Sequence, residues 1–502
     1  MSFKIKMAAV LTAAAFALPA WADKTYDADL VIVGAGAGGT VAAVSAVEGG
    51  LKTVMIEKNA YPGGAGLFME GSFAVQSFMT KKAGMKWTTT DAFNAMANYH
   101  HWRINAPLMK KFIELSGDTI QWVWDHGVHW KELKTAWRDK SEHTWHLYPE
   151  AGSLPKTMVK IFKEKGGTLL LNTPGEKLIE KDGRVTGVVA KDAKTGEKVT
   201  INAKNVILAT GGYNYNVVMV KEMTGIDMIP VGTPGRTGDG IRMAFEVGAV
   251  GDNIGPMMIN GAFMPAEGEA ICNGANKEVR ALFRQGLLYV DGTGNRFFNE
   301  ELTIDWPTAS NAIARSGEWT YIVFDENTKK EIETKGKGYL NPCGNFILRG
   351  QNATQLDALL AANEKKGNVF IGNTIEEVAK KAGMDPAILK ASCDAITKYA
   401  REGKDEQFGK DPYYLREVAT GPFYVVRGKL NTLTSLNGVK VNADLQVLTK
   451  EGHVIPGLYA IGHDAGGMYG DSYDLKVGEG TASSFAINSG RMAVMHILSE
   501  KK

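Results

Sequence analysis

The stretch LVIVGAGAGG (residues 30–39) restricts what this chain can become more than any other. A continuous apolar run, residues 30–33, reads as a strand buried on both faces of a parallel sheet. Gly34-x-Gly36-x-x-Gly39 follows, then a helical segment at 40–48. A second apolar strand at 53–56 ends in Glu57. Each glycine has a reason. Gly34 permits a tight turn, Gly36 lets backbone approach a pyrophosphate, and Gly39 lets helix pack on strand. The helix N-terminus faces the phosphates, and Glu57 can accept bonds from ribose hydroxyls. Strand, helix, strand and acid in this order predict a dinucleotide-binding α/β unit.

Three further turns follow apolar strands and carry small residues. The first, EKNAYPGGAGLFMEGSFA (57–74), holds Lys58, Gly63 and Gly64. The second, VILATGG (206–212), ends in Thr210, Gly211 and Gly212. The third, GLYAIG (457–462), runs through Gly462 into His463 and Asp464. An acid followed by a base and a Gly-Gly turn is more than a nicotinamide dehydrogenase needs. Several such turns suit an extended FAD threaded between loops, and 58 glycines in 502 residues fit repeated close approach of backbone to a ligand. Ser483 and Ser484 open the last helical stretch and are further candidates for the cofactor site.

Net charge is +2, which gives no reason to expect a nucleic-acid partner. Residues 1–22 read as a cleavable Sec signal: Lys4 and Lys6, an apolar run at 7–18, then Ala20-Trp21-Ala22. The expected location is the periplasm, without stable membrane insertion, because about 20 apolar residues are needed to span a bilayer. Cys272, Cys343 and Cys393 are far apart, so no disulfide is expected. Histidines are scattered, so no metal site is expected. There is no Cys-x-x-Cys-His for attached haem.

With these motifs the chain resembles the flavoprotein subunits of the fumarate reductase and succinate dehydrogenase superfamily. It is most similar in style to soluble periplasmic flavocytochrome fumarate reductases without their haem domain. GDGI (238–241), NRFFNE (295–300), TIEEVA (374–379) and PGLYAIG (456–462) carry the resemblance along nearly all of the mature chain. It implies an α/β fold: a Rossmann-type FAD-binding domain in two segments, 23–253 and 433–502, with an inserted α+β capping domain at 254–432. FAD is expected to be non-covalent, since 60–74 lacks the histidine of the family's covalent form.

The resemblance also implies fixed positive charge for a dicarboxylate, and here the chain departs. The slot of the family's proton-donating arginine is Ile304. LNTLTSLNG (430–438) and INGAFMP (259–265) lack the expected histidines. A glutamate-bearing segment of the family falls near Val279-Arg280. The carboxylate-gripping arginine has no counterpart; its slot lies within 473–477, where Tyr473 or Lys476 stands. A tyrosine there is similar to the 3-ketosteroid dehydrogenase branch, in which a tyrosine and a nearby backbone amide stabilise an enolate. Tyr473, Tyr469, Arg280 and Arg284 are therefore the candidate catalytic residues, with Phe68 and Met69 as candidate walls of an apolar pocket. The leading expectation is reduction of an activated C=C bond in an enoate or enone other than fumarate, with electrons from a separate c-type cytochrome. A dehydrogenase working in the reverse direction and a non-catalytic flavin relay stay open.

Overall fold

The computed structural model describes residues 23–135, 141–263, 277–303, 305–317, 319–336 and 353–501. Residues 1–22, Cys272, Cys343, Ile304 and the end of the 259–265 segment lie outside the described residues.

The apolar runs read from sequence become neighbouring strands of one sheet. Its main path runs, in spatial order, Gln446–Leu448, Val454–Ala460, Lys198–Leu208, Lys24–Val33, Thr53–Ile56 and Thr168–Leu170. Leu30 pairs with Thr53 on one side and Asn205 on the other, and Leu458 pairs with Val206, all in parallel. Leu30, Val31, Ile32, Val206, Ile207 and Leu208 are sealed from solvent, as a layer covered on both faces requires. A hairpin, Gly175–Lys181 and Arg184–Lys191, extends this sheet. Its turn is Asp182-Gly183, both at positive φ (52° and 74°), the twist a two-residue hairpin prefers.

Strands from both ends of the chain thus share one sheet, and helices lock the same junction. The helix Ala37–Glu48 lies against the last helix, Thr481–Ser499. A Cβ on Gly38 would stand 2.7 Å from the Ala486 carbonyl oxygen, and one on Gly490 would stand 2.5 Å from that of Gly38. Only glycine allows backbones to meet this closely.

A second sheet builds the cap from Ile229–Pro230, Met257–Phe263, Leu288–Val290, Thr320–Asp325, Val369–Gly372 and Phe423–Ser435. The boundary drawn at 432/433 falls inside its long strand Phe423–Ser435, and Ile229–Pro230, from the first segment, pairs with that strand at Asn431 and Thr432. Hydrophobic pattern could not show this, because a strand passing between layers stays apolar throughout. The cap has its own core of Leu288, Val290, Val323, Val378, Leu389 and Cys393.

The NRFFNE segment is a staple of this cap. Arg296 Nε and Nη2 each donate to Glu300 at 2.8 Å, while Nη1 and Nη2 donate to Asp405 at 2.9 and 2.7 Å. All three side chains are at most 1% exposed, and Lys410 adds a 3.2 Å contact to Glu300. The Arg296 guanidinium and backbone amides hold the Asp405 carboxyl well below the usual carboxylate range against the cost of burial. Asp385 caps Pro386–Glu402 through the amides of Ala387 and Ile388, as the Asp-Pro pair predicts. Trp130 is core, while Trp122 and Trp124 are half-buried against it.

Candidate flavin and substrate site

The fingerprint glycines behave as their spacing predicts. Gly34 has φ +111°, and a Cβ there would meet the Ala209 carbonyl oxygen at 2.3 Å. A Cβ on Gly39 would meet the Gly34 oxygen at 2.0 Å, so helix and strand touch through bare backbone. Around Gly36 a Cβ would meet nothing within 4 Å, so its open face can admit a ligand. Gly36 is also the N-cap of Ala37–Glu48 and has no side chain to satisfy the first-turn amides. Those amides and the helix dipole form an anion site.

The other turns converge on this one. Gly63 N–H donates to Ala35 O at 2.7 Å, and Gly36 and Gly63 form a parallel bridge. Gly63 and Gly64 sit at φ +118° and +48°, which only glycine adopts readily. Glu57 is 7% exposed and accepts from Ala35 N at 3.0 Å and Asn59 N at 2.9 Å. A carboxylate has about four acceptor positions, so the ribose hydroxyls can still be held. Lys58 pairs with Asp239 at 2.5 Å and donates to Thr237 at 2.9 Å, joining the 57–74 turn to GDGI.

Asp464 is spent on the protein. Its carboxylate accepts from Thr210 N, Thr210 Oγ1 and Gly212 N and is fully buried, which pushes its pKa up. Thr210 Oγ1 in turn accepts from Gly240 N at 3.1 Å. Gly211 and Gly212 have φ +90° and +82°. His463 lies beside Gly212; its Nδ1 has no partner among the described residues, and burial pulls its pKa down to about 3. The hydroxyls of Ser483 and Ser484 donate to the carbonyls of Gly71 and Phe73, at 2.5 and 2.6 Å. They tie the last helix to the strand Gly71–Phe73, so backbone and not hydroxyl is what that helix can offer a cofactor. The residues present fit FAD: an uncapped helix N-terminus, a glycine (Gly36) facing open space and an acid at the second strand end.

Tyr473 lies next to these turns. It is 3% exposed, and its phenol oxygen accepts from Gly480 N–H at 3.2 Å, at the N-cap of the last helix. Its ring stacks on Trp306 (5.8 Å, 16°) and leans on Tyr469 (6.0 Å, 41°). The Arg284 guanidinium sits 5.5 Å from the Trp306 ring centroid, and Glu70 in the 57–74 turn feels its charge. The structure therefore brings Tyr473, Tyr469 and Arg284 into one layer. Arg280 is buried on Lys277–Leu282, just ahead of Arg284. Phe68 is 64% exposed and Met69 half-buried.

Several residues of this layer were missed from sequence. His100 is fully buried. It accepts from Gly470 N at Nδ1 (3.2 Å), which leaves the Nε2 proton for Asp474 at 3.4 Å. Asp474 also accepts from Thr481 Oγ1. Tyr99 donates to the Tyr473 carbonyl at 3.1 Å. Asp305, 6% exposed, accepts from Thr308 at 2.6 Å through Oδ2, while Oδ1 has no partner among the described residues. Burial pushes its pKa up, against the pull of Lys476. Asp305-Trp306-Pro307 has the form of a helix start, and that signal hides any second role.

A family model described as an FAD binding domain matches residues 29–476. A vinyl phenol reductase of Lactiplantibacillus plantarum is 32% identical over 479 residues, covering 93% of this chain and 96% of that protein. The chain belongs to the fumarate reductase and succinate dehydrogenase flavoprotein superfamily. It is an FAD-dependent oxidoreductase. An open flavocytochrome c3 fumarate reductase shares its fold at TM-score 0.70 and 24% identity, covering 94% of this chain and 78% of that one. A 3-ketosteroid Δ1-dehydrogenase from Sterolibacterium denitrificans does so at TM-score 0.73 and 21% identity, covering 94% and 100%. Among the described residues no helix is long and apolar enough to cross a membrane, and no group of three or more His, Cys, Asp or Glu could hold a metal.

Proposed function

We propose that this protein is an exported reductase of a C=C bond conjugated to an aromatic ring or a carbonyl, an aryl enoate, enone or vinylphenol in place of fumarate. The observation that carries the reading is the stacked Tyr473–Trp306 pair with Tyr469, an aromatic wall at the slot where a fumarate reductase grips a carboxylate. The name of the vinyl phenol reductase supports the same substrate class. A flat conjugated ring fits an aromatic wall, whereas a dicarboxylate facing it would lose charged contacts worth several kcal/mol at roughly 2–5 each.

Reduced FAD, when bound, supplies a hydride to one alkene carbon. The chain's own residues handle charge and proton. In this reading Tyr473, which accepts from Gly480 N–H, donates its own O–H to the substrate oxygen on which negative charge grows; the accepted bond polarises that O–H. Asp305, whose pKa burial raises, is the acid for the second alkene carbon in this reading, standing in for the donor lost at position 304. Thr308, bonded to Asp305 and 3.4 Å from Tyr99, offers a path to reprotonate it. Electrons come from a separate c-type cytochrome in the periplasm; the residue 1–22 pattern and the likeness to flavocytochromes support this.

The test mixes viologen-reduced holoenzyme with fumarate, aryl enoates, enones and 4-vinylphenol under anaerobic conditions. Rapid flavin reoxidation by the aryl-conjugated alkenes and not by fumarate is expected. Reoxidation by fumarate alone, or bleaching of oxidised flavin by saturated ketones, would overturn the reading.

A further inference from the structure

Arg236 carries a positive charge that the described residues leave without a countercharge. It is 7% exposed. Nε donates to Thr233 O at 3.2 Å and Nη2 to Val231 O at 3.1 Å, and the guanidinium lies 5.7 Å from the Tyr215 ring centroid. All three partners are neutral. Nη1, with two N–H groups, donates to no described residue, yet it is not among the sealed polar atoms, so it faces accessible space. Burial draws the guanidinium pKa down to about 10, with no carboxylate to hold it up. A buried cation without a counterion is strongly disfavoured, and proteins keep one where an anion comes to meet it.

Its neighbours say which anion. A Cβ on Gly211 would touch Arg236 Cγ and Cδ at 3.4 Å, and Tyr215 N donates to Arg236 O at 3.0 Å, so the arginine is built onto the VILATGG turn. Gly34 abuts Ala209 in that same turn. The other cation here, Lys58, is already paired with Asp239. Oxidised FAD has one anionic group, its pyrophosphate. We propose that Arg236 is a pyrophosphate-binding residue, clamping the FAD phosphates through Nη1 together with the uncapped N-terminus of Ala37–Glu48. The helix amides supply partial charge, and Arg236 supplies the full one.

The experiment compares holoenzyme of wild type, Arg236→Gln and Arg236→Lys. FAD retention is measured by ultrafiltration and flavin fluorescence at low and high salt, and displacement of FAD by ADP is set against displacement by adenosine. The glutamine variant is expected to hold FAD and ADP about tenfold or more weakly, with adenosine unchanged. Its FAD affinity should also depend less on salt, because one ionic contact is gone. The lysine variant, charged but without the fork, should fall between. Equal losses for ADP and adenosine, or wild-type ADP affinity in a glutamine variant with native circular dichroism, would overturn the assignment. If the glutamine variant does not fold, the lysine variant decides by the same ADP-to-adenosine ratio: a fall supports the clamp, and an unchanged ratio removes it.

Discussion

Replacing Tyr473 with phenylalanine removes one oxygen and keeps the ring, so its consequences can be worked separately for the fold and the chemistry. The stack on Trp306 at 5.8 Å and the contact with Tyr469 at 6.0 Å involve only the ring and should persist. Lost from the fold is the acceptor for Gly480 N–H at 3.2 Å. A buried amide without a partner costs about 1–3 kcal/mol, less if water enters. Lost from the chemistry is an O–H donor to the oxygen that gains charge. Such a donor contributes about 2.7–4 kcal/mol, or 10²–10³ in rate. The assay is single-turnover reoxidation of reduced holoenzyme by an aryl-conjugated alkene, beside a thermal melt. A moderate drop in Tm with a fall in rate of about a hundredfold or more, and little change in half-saturating substrate, is expected. The same drop in Tm with an unchanged rate would refute the electrostatic role and leave Tyr473 as a cap for the last helix.

Other perturbations test the frame. Gly212→Ala must fit a Cβ 2.0 Å from Ser435 Oγ at φ +82°, while that hydroxyl accepts from Tyr213 N; a lower Tm and flavin loss on gel filtration are expected. His146, sealed among Ser72, Ser77 and Thr144, has its pKa pulled by burial from 6.5 to about 4. The folded state disfavours its protonated form, so its contribution is complete above the unfolded value and is lost as pH falls. Calorimetry should show about 3 kcal/mol less stability at pH ~4 than at pH ~7 from this group, and His146→Gln should flatten that slope. Asp405, held below the usual range by Arg296, contributes above the ordinary carboxylate pKa and loses this as pH drops further. Asp405→Asn should cost about 3–5 kcal/mol in chemical denaturation, because Arg296 and Glu300 stay buried in a broken network.

The cofactor frame was legible because its requirements are backbone requirements. A glycine at 34 or 39 is forced by contacts of 2.3 and 2.0 Å that any Cβ would violate, and such constraints survive in sequence as fixed spacings. The roles of Ser483, Ser484 and Asp464 were less legible, since a hydroxyl or carboxylate near a cofactor turn can face the ligand or brace the turn. Here their bonds go to Gly71, Phe73, Thr210 and Gly212. Arg236 and Asp305 were not legible at all. An arginine before TGDG looks like a surface cation, and an aspartate before Trp-Pro looks like a helix cap. Only burial together with an unused polar atom, Nη1 in one and Oδ1 in the other, separates them from those readings.

This division has a mechanical basis. The turns that fit FAD lie at strand ends and helix starts of a sheet built from both ends of the chain, so their positions are fixed by main chain that the core cannot let move. The aromatic layer is assembled from side chains on two pieces: Tyr469 and Tyr473 on the loop leading into the last helix, and Arg284, Asp305 and Trp306 from the cap. A change of side chain there leaves the sheet untouched. Exchanging an arginine for Tyr473, or an arginine for the residue at 304, can thus change the substrate while every glycine contact around the flavin stays in place. The stack of Trp306 on Tyr473 also ties cap to flavin domain, so residues proposed to read the substrate also join the two pieces. Loss of that stack should loosen closure and weaken substrate discrimination together.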